Sequence, residues 1–237
     1  MRKSLLKILA IFIIGIFGGI FADQILWPYF IEKPLFLKYR LEQTPIYLTE
    51  IKEVTIQENV ALKNMIEKVE KAVIGIETTT KETILRGSGL ILTSDGLIVT
   101  LSDLVPQGAK INFFIDGKLA SFQVLKRDLK ENLALIKVEN TNLSTLGFAN
   151  LERIKLGERV FILGVILEKG KIQKTVNEGI VKHFDEDWID TNILEIASLA
   201  GSPLFNIEGG VLGINTVDYW GRINAIPVTK IKEFAGF

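Results

Sequence analysis

Ile196-Ala197-Ser198-Leu199-Ala200-Gly201-Ser202-Pro203-Leu204-Phe205-Asn206 decides the fold, together with the Glu208-Gly209-Gly210 turn and the strand Val211-Leu212-Gly213-Ile214-Asn215-Thr216 that follow it. A loop of small residues, a Gly-x-Pro-Leu step, a tight turn and a run of apolar residues form an antiparallel β pattern. Moving outward, the pattern repeats. Strands are predicted at Val73 to Glu77, Ile84 to Leu92, Leu97 to Leu101, Lys110 to Ile115, Leu119 to Leu125 and Leu133 to Val138. A second set runs Arg159 to Gly164, Thr175 to Lys182, Trp188 to Asp190, Gly210 to Asn215 and Ile223 to Ile226. Asp95-Gly96 and Asp116-Gly117 are hairpin turns, because glycine accepts the positive φ that such turns require. Eleven or twelve short strands in two groups predict an all-β fold of two six-stranded antiparallel barrels, about 73–140 and 150–228, with a short closing helix from Thr229 to Phe234.

The N-terminal part has a different composition. Arg2, Lys3 and Lys7 precede an uncharged run from Ile8 to Ala22, about 22 Å of helix against a hydrocarbon core of about 30 Å. Counting from Leu5, with Lys7 reaching toward the interface, brings the span close to sufficient. A cleaved signal peptide has the same charged start and apolar centre. Its cut needs small residues at the first and third positions before it, and Ile20-Phe21-Ala22 supplies only one. An uncleaved anchor over residues 1–22 is therefore expected, making one N-terminal transmembrane helix. The charge bias puts its N-terminus in the cytoplasm and the rest outside. Pro28, Pro34 and Pro45 predict an extended stem over 23–54, with Trp27, Tyr29 and Phe30 at the outer membrane surface. From Asn59, a candidate cap, Leu62, Ile66 and Val69 recur at helical spacing.

Composition excludes several classes. The 28 basic and 28 acidic residues balance, so no field for nucleic acid is expected. There is no cysteine and one histidine, His183. Thiol chemistry is absent and no metal-ligand spacing exists, so neither metal nor cofactor is expected. Gly87-Ser88-Gly89 is not a phosphate loop, since no lysine follows and a strand comes next.

The 196–206 stretch resembles the nucleophile loop of the HtrA family of trypsin-like serine proteases, roughly G-N-S-G-G-P-L-x-N. Gly87 to Thr100 is similar to that family's G-S-G-x-I-x-x-x-D-G-x-I-V-T hairpin. Asn132 to Val138 is similar to its D-L-A-L-L-K-I strand, Leu156 to Val160 to its V-G-D-x-V, and Ala225-Ile226-Pro227 to its closing A-I-P. The resemblance covers about 55–237 and implies a trypsin-like protease-fold domain without the family's PDZ module.

Carried over residue by residue, the resemblance places Asp103 at the histidine base, Asn132 at the orienting aspartate and Ala200 at the nucleophile. Thr191-Asn192 stands for the family's T-D pair, and Ser198, Leu199 and Ala200 take the oxyanion-loop positions. Removing a triad nucleophile or base costs roughly a million-fold in turnover, while oxyanion hole and binding alone retain about a thousand-fold or more over water. Ser198 replaces a glycine whose freedom lets the backbone N–H turn toward the oxyanion. Ser202 and His183 are the only visible raw material for a rebuilt pair, and they are expected to be a loop serine and a surface residue beside Asp185-Glu186-Asp187. Asp103 is expected to be a loop acid filling a vacated site.

These readings imply a membrane-anchored, bacterial pseudoprotease held outside the cytoplasmic membrane, not an enzyme. It would bind unfolded or extended peptides beside Ile214, Asn215 and Thr216, or occupy the partners of an active relative. Two alternatives are an active serine endopeptidase with non-standard residues, and a structural envelope protein forming trimers through its stem.

Overall fold

The computed structural model describes residues 2–32, 60, 62–168 and 171–237. The chain divides into two compact units, Met1–Glu58 and Asn59–Phe237.

In the first unit, helix α1 (Arg2–Phe21) passes into wider π-type winding over Ala22–Glu32. Ser4–Trp27 is a 24-residue helical span of mean hydropathy 2.5 with no side chain buried, about 36 Å at α-helical rise. By length and composition it is able to cross a membrane. The extended stem expected from Asp23 is corrected here: winding continues through Pro28 to Glu32. Proline removes one backbone donor, and a widened turn is a form in which a helix accommodates such a local defect. The remainder of the expected stem, and Asn59 as a cap, lie outside the described residues.

The second unit begins with α2 (62–69). Its Leu62, Met65, Ile66 and Val69 pack on the core behind it, as the helical spacing predicts. Seven antiparallel strands follow: β1 (Val73–Thr79), β2 (Ile84–Ile91), β3 (Leu97–Leu101), β4 (Lys110–Ile115), β5 (Lys118–Ala120), β6 (Phe122–Asp128) and β7 (Leu133–Val138). They form one sheet in the order β5-β4-β1-β2-β3-β7-β6. Asp116 and Gly117, at φ 47° and 77°, turn β4 into β5 with the mirror-image turn that suits strand twist.

Six more strands make a closed barrel, β10-β13-β12-β11-β8-β9. These are β8 (Arg159–Glu168), β9 (Lys171–Phe184), β10 (Ile189–Leu194), β11 (Pro203–Asn206), β12 (Val211–Val217) and β13 (Arg222–Pro227). Helix α3 (Val228–Ala235) then buries Val228, Ile231 and Phe234 and stops at Gly236, φ 85°.

The expectation of two closed barrels holds for the second group only. The first is an open sheet whose edges are β5 and β6. Those strands are consecutive in the chain, with only Ser121 between them. β5 pairs with β4 and β6 with β7, so the pairing partner changes at Ser121 and the two edges share no ladder. The single strand predicted from Leu119 to Leu125 is for the same reason two strands.

Strand β8 joins the two halves. Its Val160 and Ile162 lie in the barrel core with Val181, Ile189, Leu204 and Ile223. Its Phe161, Leu163, Val165 and Leu167 lie in the core shared with the first sheet. Alternation along a strand buried on both faces explains its unbroken apolar run. Gly75 of β1 lets the halves approach, since a Cβ there would sit 2.7 Å from Val165 Cγ1.

Candidate active-site region

Three loops define the region. The first leaves β3 as a 3₁₀ turn, Ser102–Leu104, with Ser102 and Leu104 buried and Asp103 exposed. Thr78 Oγ1 donates to the Leu104 carbonyl at 2.6 Å and Arg127 Nε to that of Val105 at 2.6 Å, fixing the turn from two strands.

The second loop joins β6 to β7. Asp128 Oδ1 accepts the N–H groups of Lys130 at 2.9 Å and Glu131 at 3.0 Å. The Glu131 bond foremost holds the Asp128 carboxyl below its usual value; desolvation opposes it, and the weaker effect of the Lys130 bond adds to the lowering. Asn132 follows at φ 53°, a left-handed conformation that asparagine tolerates better than most residues. Its backbone carbonyl accepts Ser102 N–H at 3.1 Å. Its Oδ1 accepts Ser102 Oγ–H at 2.8 Å and Asp103 N–H at 3.1 Å, and its Nδ2 donates to Asp103 Oδ2 at 2.9 Å. The two residues matched to base and orienter are thus in direct contact.

The third loop joins β10 to β11 and coils as a 3₁₀ turn over Ala197–Leu199, capped by Ala200. Ala200 N–H donates to the Ala197 carbonyl at 3.1 Å. An oxyanion donor must instead point at open space where charge develops. The Ala200 carbonyl accepts Ser88 N–H at 2.9 Å. Ser88, fully buried, has two further bonds: its Oγ accepts Val165 N–H at 2.8 Å and its carbonyl accepts Thr100 Oγ–H at 2.7 Å. A Cβ on Gly87 would lie 2.7 Å from the Ala200 carbonyl oxygen and collide with Leu104 Cδ1. Leu104 is the neighbour of Asp103, so the third loop meets the first across Gly87.

Ser202 and His183, the two candidates for a rebuilt pair, lie in different surroundings. Ser202 is fully buried, and its Oγ accepts Asn215 Nδ2–H at 3.1 Å. His183 stands on β9 with its side chain 64 % exposed, 3.7 Å from Asp185. Among the described residues, no serine hydroxyl is hydrogen-bonded to it. Asn192 is exposed, and its Oδ1 accepts Ile180 N–H at 2.7 Å across β9 and β10. Asn215 Oδ1 is buried without a hydrogen-bond partner.

The three residues expected beside a peptide lie on β12. Ile214 is paired on both sides, with Pro203 and Ile226. Asn215 N–H donates to the Ser202 carbonyl at 2.8 Å, and its carbonyl accepts Gly201 N–H at 2.8 Å. Those groups point away from β13. By alternation, Thr216 points its N–H and C=O toward β13 and Val217 turns its own outward, beyond the end of the pairing with β11. Nothing in the sequence pattern singles out Val217. Ser88 also escapes a reading of sequence alone, although the Gly-Ser-Gly pattern of the hairpin marks a close backbone approach.

A model of the trypsin-like peptidase domain matches residues 87–214, from the hairpin glycine that meets Ala200 to strand β12. Similar proteins include mouse "Serine protease HTRA4", 34 % identical over 164 residues, covering 62 % of this chain and 33 % of that protein. The Chlamydia pneumoniae "Probable periplasmic serine endoprotease DegP-like" is 33 % identical over 142 residues, covering 56 % and 28 %. Xenopus laevis "Serine protease HTRA1" is 30 % identical over 195 residues, covering 73 % and 42 %. The chain therefore spans about a third of the length of these relatives. Matched over more than half its length by that domain, and resembling HtrA and DegP proteins across it, the chain belongs to the trypsin-like peptidase family as an HtrA-like member.

Proposed function

We propose that this chain is a non-catalytic member of its family, a membrane-anchored pseudoprotease that binds extended peptides on the outer side of a bacterial cytoplasmic membrane. The observation that carries this is Ala200: a methyl group stands at the matched nucleophile position, and its N–H is engaged by Ala197 within the loop. Asp103 and Asn132 support it, because neither takes a proton from a hydroxyl as imidazole does and each occupies the other by hydrogen bonding. The apolar span Ser4–Trp27 supports the anchor, and the periplasmic relative named above supports the compartment. An extended peptide would add as a strand at the outward backbone groups of Val217, an interaction independent of any triad.

Purified full-length chain, incubated with denatured casein and a fluorophosphonate probe, is expected to show neither cleavage nor labelling. Cleavage that disappears when one of the chain's own side chains is replaced would overturn the assignment. Binding is tested with unstructured peptides. Saturable binding lost in Val217→Pro supports strand addition; no saturable binding removes the groove from the proposal.

A further inference from the structure

The hairpin joining β12 to β13 ends in two of the most exposed aromatic side chains of the second unit, Tyr219 at 93 % and Trp220 at 71 %. They are presented by a rigid turn. Asp218 Oδ1 accepts the N–H groups of Trp220 at 2.9 Å and Arg222 at 2.8 Å, and its Oδ2 accepts Arg222 Nε–H at 2.6 Å. The rings meet edge to face at 5.9 Å, and the Arg222 guanidinium lies 4.8 Å from the Trp220 ring. Gly221, at φ 80°, accepts Glu195 N–H at 2.7 Å. That bond brings Leu194 and Ile196, both more than half exposed, beside the turn. Four large apolar side chains on two tied loops thus face water.

Both nearby acids are hydrogen-bonded, one of them to a cation. Asp218 is paired with Arg222, and the Glu195 carboxylate accepts Asn177 Nδ2–H at 2.7 Å and Ile196 N–H at 3.3 Å. Asp218 has its cation in Arg222, while Glu195 is held by neutral donors and keeps its charge, so attraction to a bilayer would come from the apolar side chains and not from charge. Tryptophan and tyrosine, with an apolar body and a polar edge, are the residues that settle at the boundary between headgroups and acyl chains. The same chain carries a span long and apolar enough to cross a membrane.

From this we infer that the Tyr219–Trp220 turn, with Leu194 and Ile196, is a lipid-contact patch that rests the barrel against a bilayer surface. The inference rests on the anchor proposed above, and the test separates the two.

Full-length chain is reconstituted in phosphatidylcholine–phosphatidylglycerol vesicles whose acyl chains carry bromine, a quencher of tryptophan. The sequence has three tryptophans. In Trp27→Phe/Trp188→Phe, Trp220 is the sole reporter; in Trp188→Phe/Trp220→Phe, Trp27 reports on the anchor. Lipid contact predicts that bromine removes about half or more of the Trp220 emission and that aqueous iodide quenches it less than in detergent. Leu194→Asp added to the Trp220 reporter is expected to reverse both effects, with unchanged circular dichroism. Trp27 quenched by bromine while Trp220 remains open to iodide overturns the patch and leaves the anchor standing. Neither residue quenched overturns both. Shielding of Trp220 only when an unstructured apolar peptide is added reassigns the patch to peptide contact and overturns the lipid assignment.

Discussion

Asn132 holds Asp103 at both ends of its amide: Nδ2 donates to Asp103 Oδ2 at 2.9 Å, and Oδ1 accepts the Asp103 N–H at 3.1 Å. The contact requires an amide, because one end donates and the other accepts. Asn132→Asp replaces the donor with a second carboxylate facing the first. Two adjacent carboxylates cannot both ionise freely, so one folded-state pKa rises. The folded variant then binds more protons than its unfolded chain, and its stability falls as pH rises through that range. The expected outcome is a melting temperature lower than the parent's by about 2–5 °C at neutral pH, with the gap closing below the carboxylate range. Thermal scans at several pH values check it.

Ser88→Ala removes the hydroxyl oxygen that accepts the buried Val165 N–H while keeping the Ser88 backbone bond to Ala200. An orphaned buried donor costs about 1–3 kcal/mol. Urea denaturation is expected to show that loss with little change in slope. A loss below about 0.5 kcal/mol would mean that Val165 finds another acceptor.

Two glycines of nearly equal φ separate strain from packing. At Gly108, φ 79°, an added methyl would meet nothing within 4 Å, whereas at Gly201, φ 77°, it would collide with the Ser88 carbonyl and lie 2.9 Å from Thr100 Oγ1. Gly108→Ala is expected to cost about 1 kcal/mol from backbone strain alone. Gly201→Ala should cost at least about 2 kcal/mol more, because the obstacle is backbone. Chemical denaturation of the two variants side by side checks this, and equal losses would contradict the packing described at the third loop.

Ala200→Ser restores a hydroxyl but no base, and a serine is a weak nucleophile without one. With the residue-200 N–H still donating to the Ala197 carbonyl, no oxyanion donor is supplied from that atom either. The single variant is expected to remain unlabelled by fluorophosphonate, as measured by intact mass.

Acid should loosen the second loop before it unfolds the domain. Asp128 has a folded-state pKa held below its ordinary value, chiefly by Glu131 N–H. Its stabilising contribution is complete above the unfolded pKa and disappears as pH falls through the lower folded value. Hydrogen exchange at Lys130 and Glu131 is expected to lose protection in that window, and Asp128→Asn should show the weakened protection at every pH.

Much of the fold is legible in short-range pattern. β3, β4 and β7 run where alternation and turns predict, and α2 buries the face that its spacing marks. β11 (Pro203–Asn206) is not legible as a strand, because four residues between a coiled loop and a turn carry too little periodicity to be seen. The open first sheet is hidden for a different reason: closure depends on which strands become edges, and the change of partner at Ser121 leaves no local mark.

The sequence by itself determined most of the strands, the turn glycines, the apolar N-terminal span and the residue types at positions 103, 132 and 200, since each is encoded by neighbours within a few positions. Only the tertiary structure decided that Asn132 grips Asp103, that Ala200 N–H folds back on Ala197, that Ser88 ties sheet to barrel, and that Val217 rather than Thr216 turns its backbone outward. Hydrogen bonds choose partners by distance in space. Ser88 and Val165 are 77 residues apart in the chain, so nothing in the local pattern of either names the other.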